Sequence, residues 1–580
     1  MAKQRRDVSP ALPQPAAARH WAVAALLAAV FAARLLHAAA LKSPSYDEAL
    51  YLVYGHALWE TGDFRLSIDK PPLVPWVAGL GPKLLGASFD RADEDWRKAD
   101  LWLTADSPWK GLQDHRWRFF LKDLHKNAVP EERLLFWSRA ALIALNAAAM
   151  LAAFALAAAL FGPAPALWLT FFLSAEPSLL AHAGLVGEDA TVASLMLLSA
   201  LSLLWTLKAP SAGRGALFGA LTAAALLAKH NALTLGPAYV LVLGAAGALG
   251  ALPAESRPRL ARALGSAAAA AAGVFLALYL VKDVGFYWLA VKNTLAYQAR
   301  GQATYLFGRV SYDGFWLTYP ACLLLKLTPG LLVLPAAWLA RKDWDRREAL
   351  WTAAVLVPAA VLVGVASANK IQLGLRYILP AVSLLAVPAA LAAARRPWLG
   401  LALGAWTGLA SVAATSDTLA YFNLLGGSEP WRKLSDSNVD WGQDLWALRD
   451  YVRSSGADEV VLSYYGATVP EAVGFPFQDL YSFGVWGEKA HLGGPKPQKE
   501  LLAVSATNRV GLYLARALGP DPFAWLDARK PEAVLGGSIL VYDVTLDADA
   551  HANLARLYAA GGMDAHAARE AQRAKALSGR

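Results

Sequence analysis

Residues 19–51 read RHWAVAALLAAVFAARLLHAAALKSPSYDEALY. An apolar run long enough to cross a bilayer, which takes about 20 residues, ends near Lys42. Two adjacent carboxylates, Asp47 and Glu48, follow at once. The basic start and the Ala38–Ala40 pair look like a secretory leader, but the run is too long for one and Arg34 interrupts it. Composition extends this reading to the whole chain. Of 580 residues, 56% are hydrophobic and only 17% charged, where a soluble domain carries about 25% charged, and the mean hydropathy is +0.35. Disorder and a disulfide scaffold are excluded. The single cysteine, Cys322, leaves no internal disulfide and no thiolate metal cluster.

Eleven windows qualify as spans, near 19–41, 135–161, 164–183, 190–207, 215–230, 232–252, 263–281, 317–340, 349–367, 376–394 and 398–417. The window at 215–230 is short, and Pro177 and Pro237 interrupt two others. The expected architecture is therefore mainly α, a polytopic membrane protein with about 11 transmembrane helices. One set of connections, from Lys3, Arg5, Arg6 and Arg19 to Arg395 and Arg396, carries fifteen cations against five acids. The positive-inside rule makes that face cytoplasmic, so the net charge of +9 is orientation rather than a nucleic-acid patch. Residues 1–18 are then a cytoplasmic N-terminus and 19–417 the transmembrane module. The outer face receives the loops 42–134, 282–316 and 368–375 and everything after 418. Residues 418–548 read as a soluble α/β domain, with strands at 460–465, 501–504 and 538–544 and a helix at 445–452. Residues 549–580 read as a helical hairpin, like a single tetratricopeptide unit capping that domain. Within 42–134, RWRFFLKDLHK (116–126) suits an interfacial helix or a solvated loop helix.

Asp47 and Glu48 stand just outside the first span, where helix capping explains them as readily as chemistry does. A second pair, Glu188–Asp189, occupies another outer-face corner, and acids at membrane depth tend to be functional. Lys229, His230, Lys370 and Arg376 supply complementary cations on the same face, while Lys326, inside the eighth window, has the option of snorkelling outward. A carboxylate able to accept a hydroxyl proton, beside a fixed cation able to stabilise a departing phosphate, suits transfer from a lipid-linked sugar. A membrane transporter is the alternative, as is a non-catalytic envelope-assembly subunit. Transporters usually place such groups at midplane in mirrored repeats, and no such symmetry is visible.

Several motifs resemble the membrane glycosyltransferases of the GT-C superfamily, specifically the bacterial branch of the dolichyl-phosphate-mannose protein mannosyltransferase family, which includes the lipid A aminoarabinose transferases. They are Tyr46-Asp47-Glu48 with Tyr51, Asp69-Lys70-Pro71-Pro72-Leu73, Pro177 to Asp189, Ala228-Lys229, Tyr305 to Gly308 and Gly374 to Pro380. The string from Asp436 to Leu445, DSNVDWGQDL, resembles one that follows the last span in many bacterial members. Its spacing is superficially that of a calcium loop, without the glycine and terminal glutamate, and anchoring of the outer domain is the favoured reading. The resemblance implies an inverting enzyme that takes a sugar from a polyprenyl-phosphate donor on the outer face of the bacterial cytoplasmic membrane. The acceptor class, protein, lipid or glycan, stays open; membrane lipids are partners and nucleic acid is not. By motif, Asp47, Glu48 and Asp189 are catalytic, and Lys229, Arg376 and Lys370 bind donor phosphate. Tyr51, Lys70, Glu188, His230 and Tyr377 bind substrate. Relatives often carry an aromatic where this chain has His230 and a histidine where it has Tyr377. No resident cofactor or metal ligand is implied, and a requirement for a divalent metal stays open.

Overall fold

The computed structural model describes residues 15–66, 69–99, 115–250, 254–482 and 497–579. Lys3, Arg5 and Arg6, counted above, lie outside them. Among the described residues, eight helices are long and apolar enough to cross a membrane, or ten if each of two bent pairs is one span. The short fifth window is the 17-residue helix Ala212–Ala228. It packs hard on helix Arg257–Leu278: a Cβ on Gly215 or Gly219 would meet the carbonyl oxygen of Ala263 or Ala267 at 1.9 or 2.0 Å. Small residues four apart on each helix allow this close approach, a packing device suited to lipid.

The two bent spans explain where buried charges go. Helices Pro163–Ala175 and Pro177–Ala183 meet at 64°, and Thr318–Lys326 and Pro329–Leu339 at 110°. Each second half starts on a proline, which has no N–H to give to the preceding turn. Glu176, fully buried at the first break, accepts the Thr328 hydroxyl at 2.6 Å and the Thr328 amide at 3.3 Å, capping the helix beyond the second break. Lys326 does not snorkel. It is buried, and its ammonium donates to the carbonyls of Leu419 (2.7 Å) and Asn438 (2.6 Å). Glu176 thus satisfies backbone that the second break leaves open, and Lys326 ties that break to the segment after the last span.

Four connections meet at one end of the bundle. Ser43 donates to Gln443, Asn438 accepts from Leu375, the Thr304 hydroxyl reaches Gln372 and Gln302 reaches Tyr513. At the opposite end, Arg341 and Arg395 both pair with Glu348. Helix His115–His125 is not interfacial: Trp117, Phe119, Phe120 and Leu124 are buried within the protein, and Arg118 and Lys122 pair with Asp95. A small antiparallel ribbon, β1 (Thr304–Leu306) and β2 (Arg309–Ser311), follows the aromatic helix Gly285–Arg300.

The C-terminal segment folds on a sheet of β3 (Glu459–Ser463), β4 (Phe477–Asp479), β5 (Glu500–Ser505), β6 (Ala533–Leu535) and β7 (Ile539–Asp543). Their order is β4-β3-β5-β7-β6, parallel among the first three and antiparallel beyond. The continuous apolar runs of β3, β5 and β7 made them readable in the sequence; β4 and β6, three residues each, give no such signal. Helices Ala548–Ala560 and Asp564–Ser578 form the terminal hairpin, with Gly561 and Gly562 between them. It docks through an apolar face, with Leu554, Leu557 and Tyr558 in one buried cluster with Leu502, Val504 and Leu540, and through charge: Arg569 forks onto Glu459 with both bonds at 2.7 Å, and Arg573 contacts Glu500.

Candidate active site

The site is built where the first loop, the Glu188 corner and the Gly374 bend converge. Ser43 to Tyr46 run alongside residues 441–445: the Ser43 amide donates to Gln443 O (3.0 Å), the Ser43 hydroxyl to Gly442 O (3.0 Å) and the Tyr46 amide to Trp441 O (2.9 Å). Asp47, the next residue, precedes helix Glu48–Thr61 and makes no side-chain cap to it. Its carboxylate instead receives Arg376 Nη1 at 3.0 Å. Arg376 is aimed by its neighbours. Gly374 sits at φ +78°, and a Cβ there would meet the Asn438 side chain at 2.5 Å. Asn438 accepts the Leu375 amide at 3.0 Å and Ser437 donates to Leu373 O at 2.7 Å.

Lys229 joins this pair to the second corner. Its ammonium lies 2.5 Å from Asp189 and 2.9 Å from Glu188, and Asp189 is 4.0 Å from Arg376. Lys70 approaches Glu188 at 4.0 Å and stands over the Tyr51 ring at 5.9 Å. Burial works against its charge, but Tyr51, Glu188, Asp69 and Asp47 outweigh it and hold Lys70 well above the usual lysine range. Tyr377 offers its ring face to Lys229 at 4.9 Å. Asp47, Glu188 and Asp189 thus face Lys70, Lys229 and Arg376 in a patch balanced in charge. All six, with Tyr51 and Tyr377, were singled out by sequence.

Three other candidates stand apart. Glu48 is buried and held by Arg139, at 2.8 Å through Nε and 2.5 Å through Nη2, and also accepts the Val186 amide at 2.7 Å. Lys370 is half exposed and pairs with Asp313 at 3.0 Å. His230 Nδ1 bonds the Thr294 hydroxyl at 2.9 Å, beside the patch rather than within it. Two neighbours were not foreseen. Arg139 is a lone guanidinium inside an apolar window, and that signal could have marked it. Trp441, already part of the DSNVDWGQDL string, lays its ring under Arg376 at 4.2 Å.

The same string ties the sheet domain to the bundle throughout. Asp436 accepts the Tyr465 hydroxyl at 3.3 Å and also that of Tyr513. Asp440 accepts the Thr507 amide at 3.0 Å; burial lifts its carboxyl to about 7 against the pull of that bond. Asp444 pairs with Lys42 at 2.5 Å. Among the described residues one acid–histidine group has ligand atoms close enough for a metal, Glu500, His551 and Glu570, all within 4.8 Å. It lies under the terminal hairpin, where Arg573 already contacts Glu500.

No family model matches the chain, and no curated protein matches it. Solved structures do. The chain is similar to ArnT from Cupriavidus metallidurans bound to undecaprenyl phosphate at 14% identity, covering 91% of this chain and 98% of that one with a TM-score of 0.45. The apo state of that protein matches at 15% identity over the same shares, with a TM-score of 0.46. The Archaeoglobus fulgidus oligosaccharyltransferase tethered to an acceptor peptide with an NVT sequon matches at 11% identity, covering 87% of this chain and 71% of that one with a TM-score of 0.47.

Proposed function

We propose that the chain is an inverting glycosyltransferase that moves a sugar from a polyprenyl-phosphate donor to an acceptor hydroxyl at the outer face of the bacterial cytoplasmic membrane. The observation that carries this reading is the Asp47–Arg376 pair, 3.0 Å apart, with Lys229 bridging to the second acid corner. A base and fixed cations are thereby assembled at the loop-bearing end of an apolar bundle, where a membrane-held donor and a soluble or lipid acceptor can both reach them. The motif resemblance supports the same reaction class.

Asp47 is the one acid of the patch whose side chain keeps substantial exposure, at 23%. In this reading it accepts the acceptor's hydroxyl proton as that oxygen attacks the anomeric carbon. The bond to the donor phosphate breaks in the same displacement, and Arg376, Lys229 and Lys70 stabilise the phosphate that leaves. Asp189 and Glu188 keep Lys229 in place. Glu48 holds Arg139 and Lys370 holds Asp313, so neither has a part in the displacement.

Purified protein in nanodiscs, given a panel of radiolabelled polyprenyl-phosphate sugars and membrane extract as acceptor source, tests the reading through release of lipid phosphate. Asp47→Asn is expected to lower release by at least 10²-fold, the low end of what a positioned general base contributes, with folding unchanged. Equal release from wild type and Asp47→Asn would remove Asp47 from the chemistry. Silence of the wild type with every donor would instead favour transport or scaffolding.

A further inference from the structure

The acids and cations of the patch have two ways to pair. Arg376 lies 3.0 Å from Asp47 and 4.0 Å from Asp189, while Lys229 already serves Asp189 at 2.5 Å. A small rotation of the guanidinium would leave Asp47 without its cation and crowd two cations onto Asp189. Something outside the charged groups must decide between these arrangements.

We infer that Trp441 is a positioning residue for both halves of the Asp47–Arg376 pair. The inference rests on the glycosyltransferase reading and deepens it. Trp441 is 3% exposed, and its ring stands 4.2 Å from the Arg376 guanidinium carbon. A guanidinium over an aromatic face is attracted to it, more strongly when water is excluded. The same residue's carbonyl accepts the Tyr46 amide at 2.9 Å, one peptide before Asp47. Its own amide is fixed by Gln443 Oε1 at 2.7 Å. The His182 ring meets the Trp441 ring edge-on at 6.2 Å, and Leu185, Leu419 and Tyr465 share the cluster.

One rigid residue therefore sets the backbone that carries the acid and the plane on which the arginine lies. Because Trp441 belongs to the DSNVDWGQDL string, the C-terminal segment reaches into the site itself rather than merely covering it. The aromatic face, not the bulk of the side chain, holds the guanidinium, so the role is separable from packing.

The test compares Trp441→Leu, which keeps an apolar side chain and removes the ring, with Trp441→Phe, which keeps a ring. Tyr464→Phe serves as control: it removes a 2.7 Å bond from Tyr464 to Gly442 O in the same string without touching Arg376. Donor turnover is measured in nanodiscs at saturating and limiting donor. Trp441→Leu is expected to lose at least tenfold in kcat/KM for the donor, with kcat itself reduced. Trp441→Phe should recover to within about threefold of wild type, and Tyr464→Phe should stay there. Equal loss in the leucine and phenylalanine variants, or the same loss in Tyr464→Phe, would reduce Trp441 to an anchor and overturn the inference. Wild-type turnover in Trp441→Leu would do so as well. An inactive wild type would sink the glycosyltransferase reading instead, so the two failures are distinct.

Discussion

Adjacent acids in the sequence have unrelated environments. Asp47 faces Arg376 with part of its side chain exposed, while Glu48 is 1% exposed and closed around Arg139, itself fully buried. A buried pair of this kind adds little net stability over apolar replacements, but breaking it by removing one partner costs about 3–5 kcal/mol, because the other charge stays buried. Arg139→Met should therefore lower the melting temperature of the detergent-solubilised protein sharply, while Glu48→Leu with Arg139→Met should recover only part of the loss, because Arg139 also donates to the carbonyls of Ala39, Lys42 and Ser43 and Glu48 accepts the Ser45 and Val186 amides. A single variant that melts like wild type would show that Glu48 finds another partner. Nothing in the sequence distinguishes the two acids, since both follow the first span and Arg139 is 91 residues away from Glu48. Lys370 and Arg376 pose the same problem. They lie only six residues apart, yet the turn at Gly374 sends only the arginine to the patch.

At the level of elements, the terminal hairpin meets the sheet through a buried set of charges beside its apolar contacts. Glu459 and Glu500 on the strands meet His551 on one helix and Arg569, Glu570 and Arg573 on the other. Burial is the main influence that lifts the Glu500 carboxyl to about 7; Glu570 adds to it, and Arg573 and His551 oppose it. A group whose pKa is raised on folding contributes stability that is complete below its unfolded value, 4.5, and is lost as pH climbs through about 7. Amide-exchange protection across 548–578, corrected for intrinsic rates, should accordingly fall about tenfold between pH 5 and pH 8. Glu500→Gln should flatten that dependence; an unchanged slope would assign it to another group. The hairpin and the three long strands were legible because continuous apolar runs and a Gly-Gly break announce them. The charges that dock one on the other were not, because strand acids and helix cations lie far apart in the sequence and are paired only by the fold.

For the whole molecule, the spans followed directly from hydropathy, whereas their joining to the C-terminal segment did not. That joint is concentrated in residues 436–444 and its partners. Lys42 stands between Asp417 and Asp444, at 2.5 Å from each, and Asp444 is fully buried. Burial raises the Asp444 carboxyl above its usual range, with Lys42 pulling it back down. Removing that cation in Lys42→Met should leave Asp444 buried without its ion pair and loosen the two parts from each other. Wild type is expected to unfold in one transition by intrinsic fluorescence and Lys42→Met in two, with the sheet domain melting first. A single unshifted transition in the variant would place the coupling elsewhere.

The same clamp has a consequence for how the protein comes into being. Lys42 and Asp444 are 402 residues apart, and Asp47 and Arg376 are 329 apart. At a synthesis rate of about 5–20 residues per second, the N-terminal partner waits on the order of 20–80 seconds for the other half of the clamp. During that time Lys42, Glu48 and Asp47 sit at the bilayer edge beside the first span with their final environment incomplete. Only Arg139 arrives early enough to neutralise one of them. The Asp47–Arg376 patch is thus completed only after most of the spans have been made, and a chain interrupted before Arg376 lacks the cation that faces Asp47.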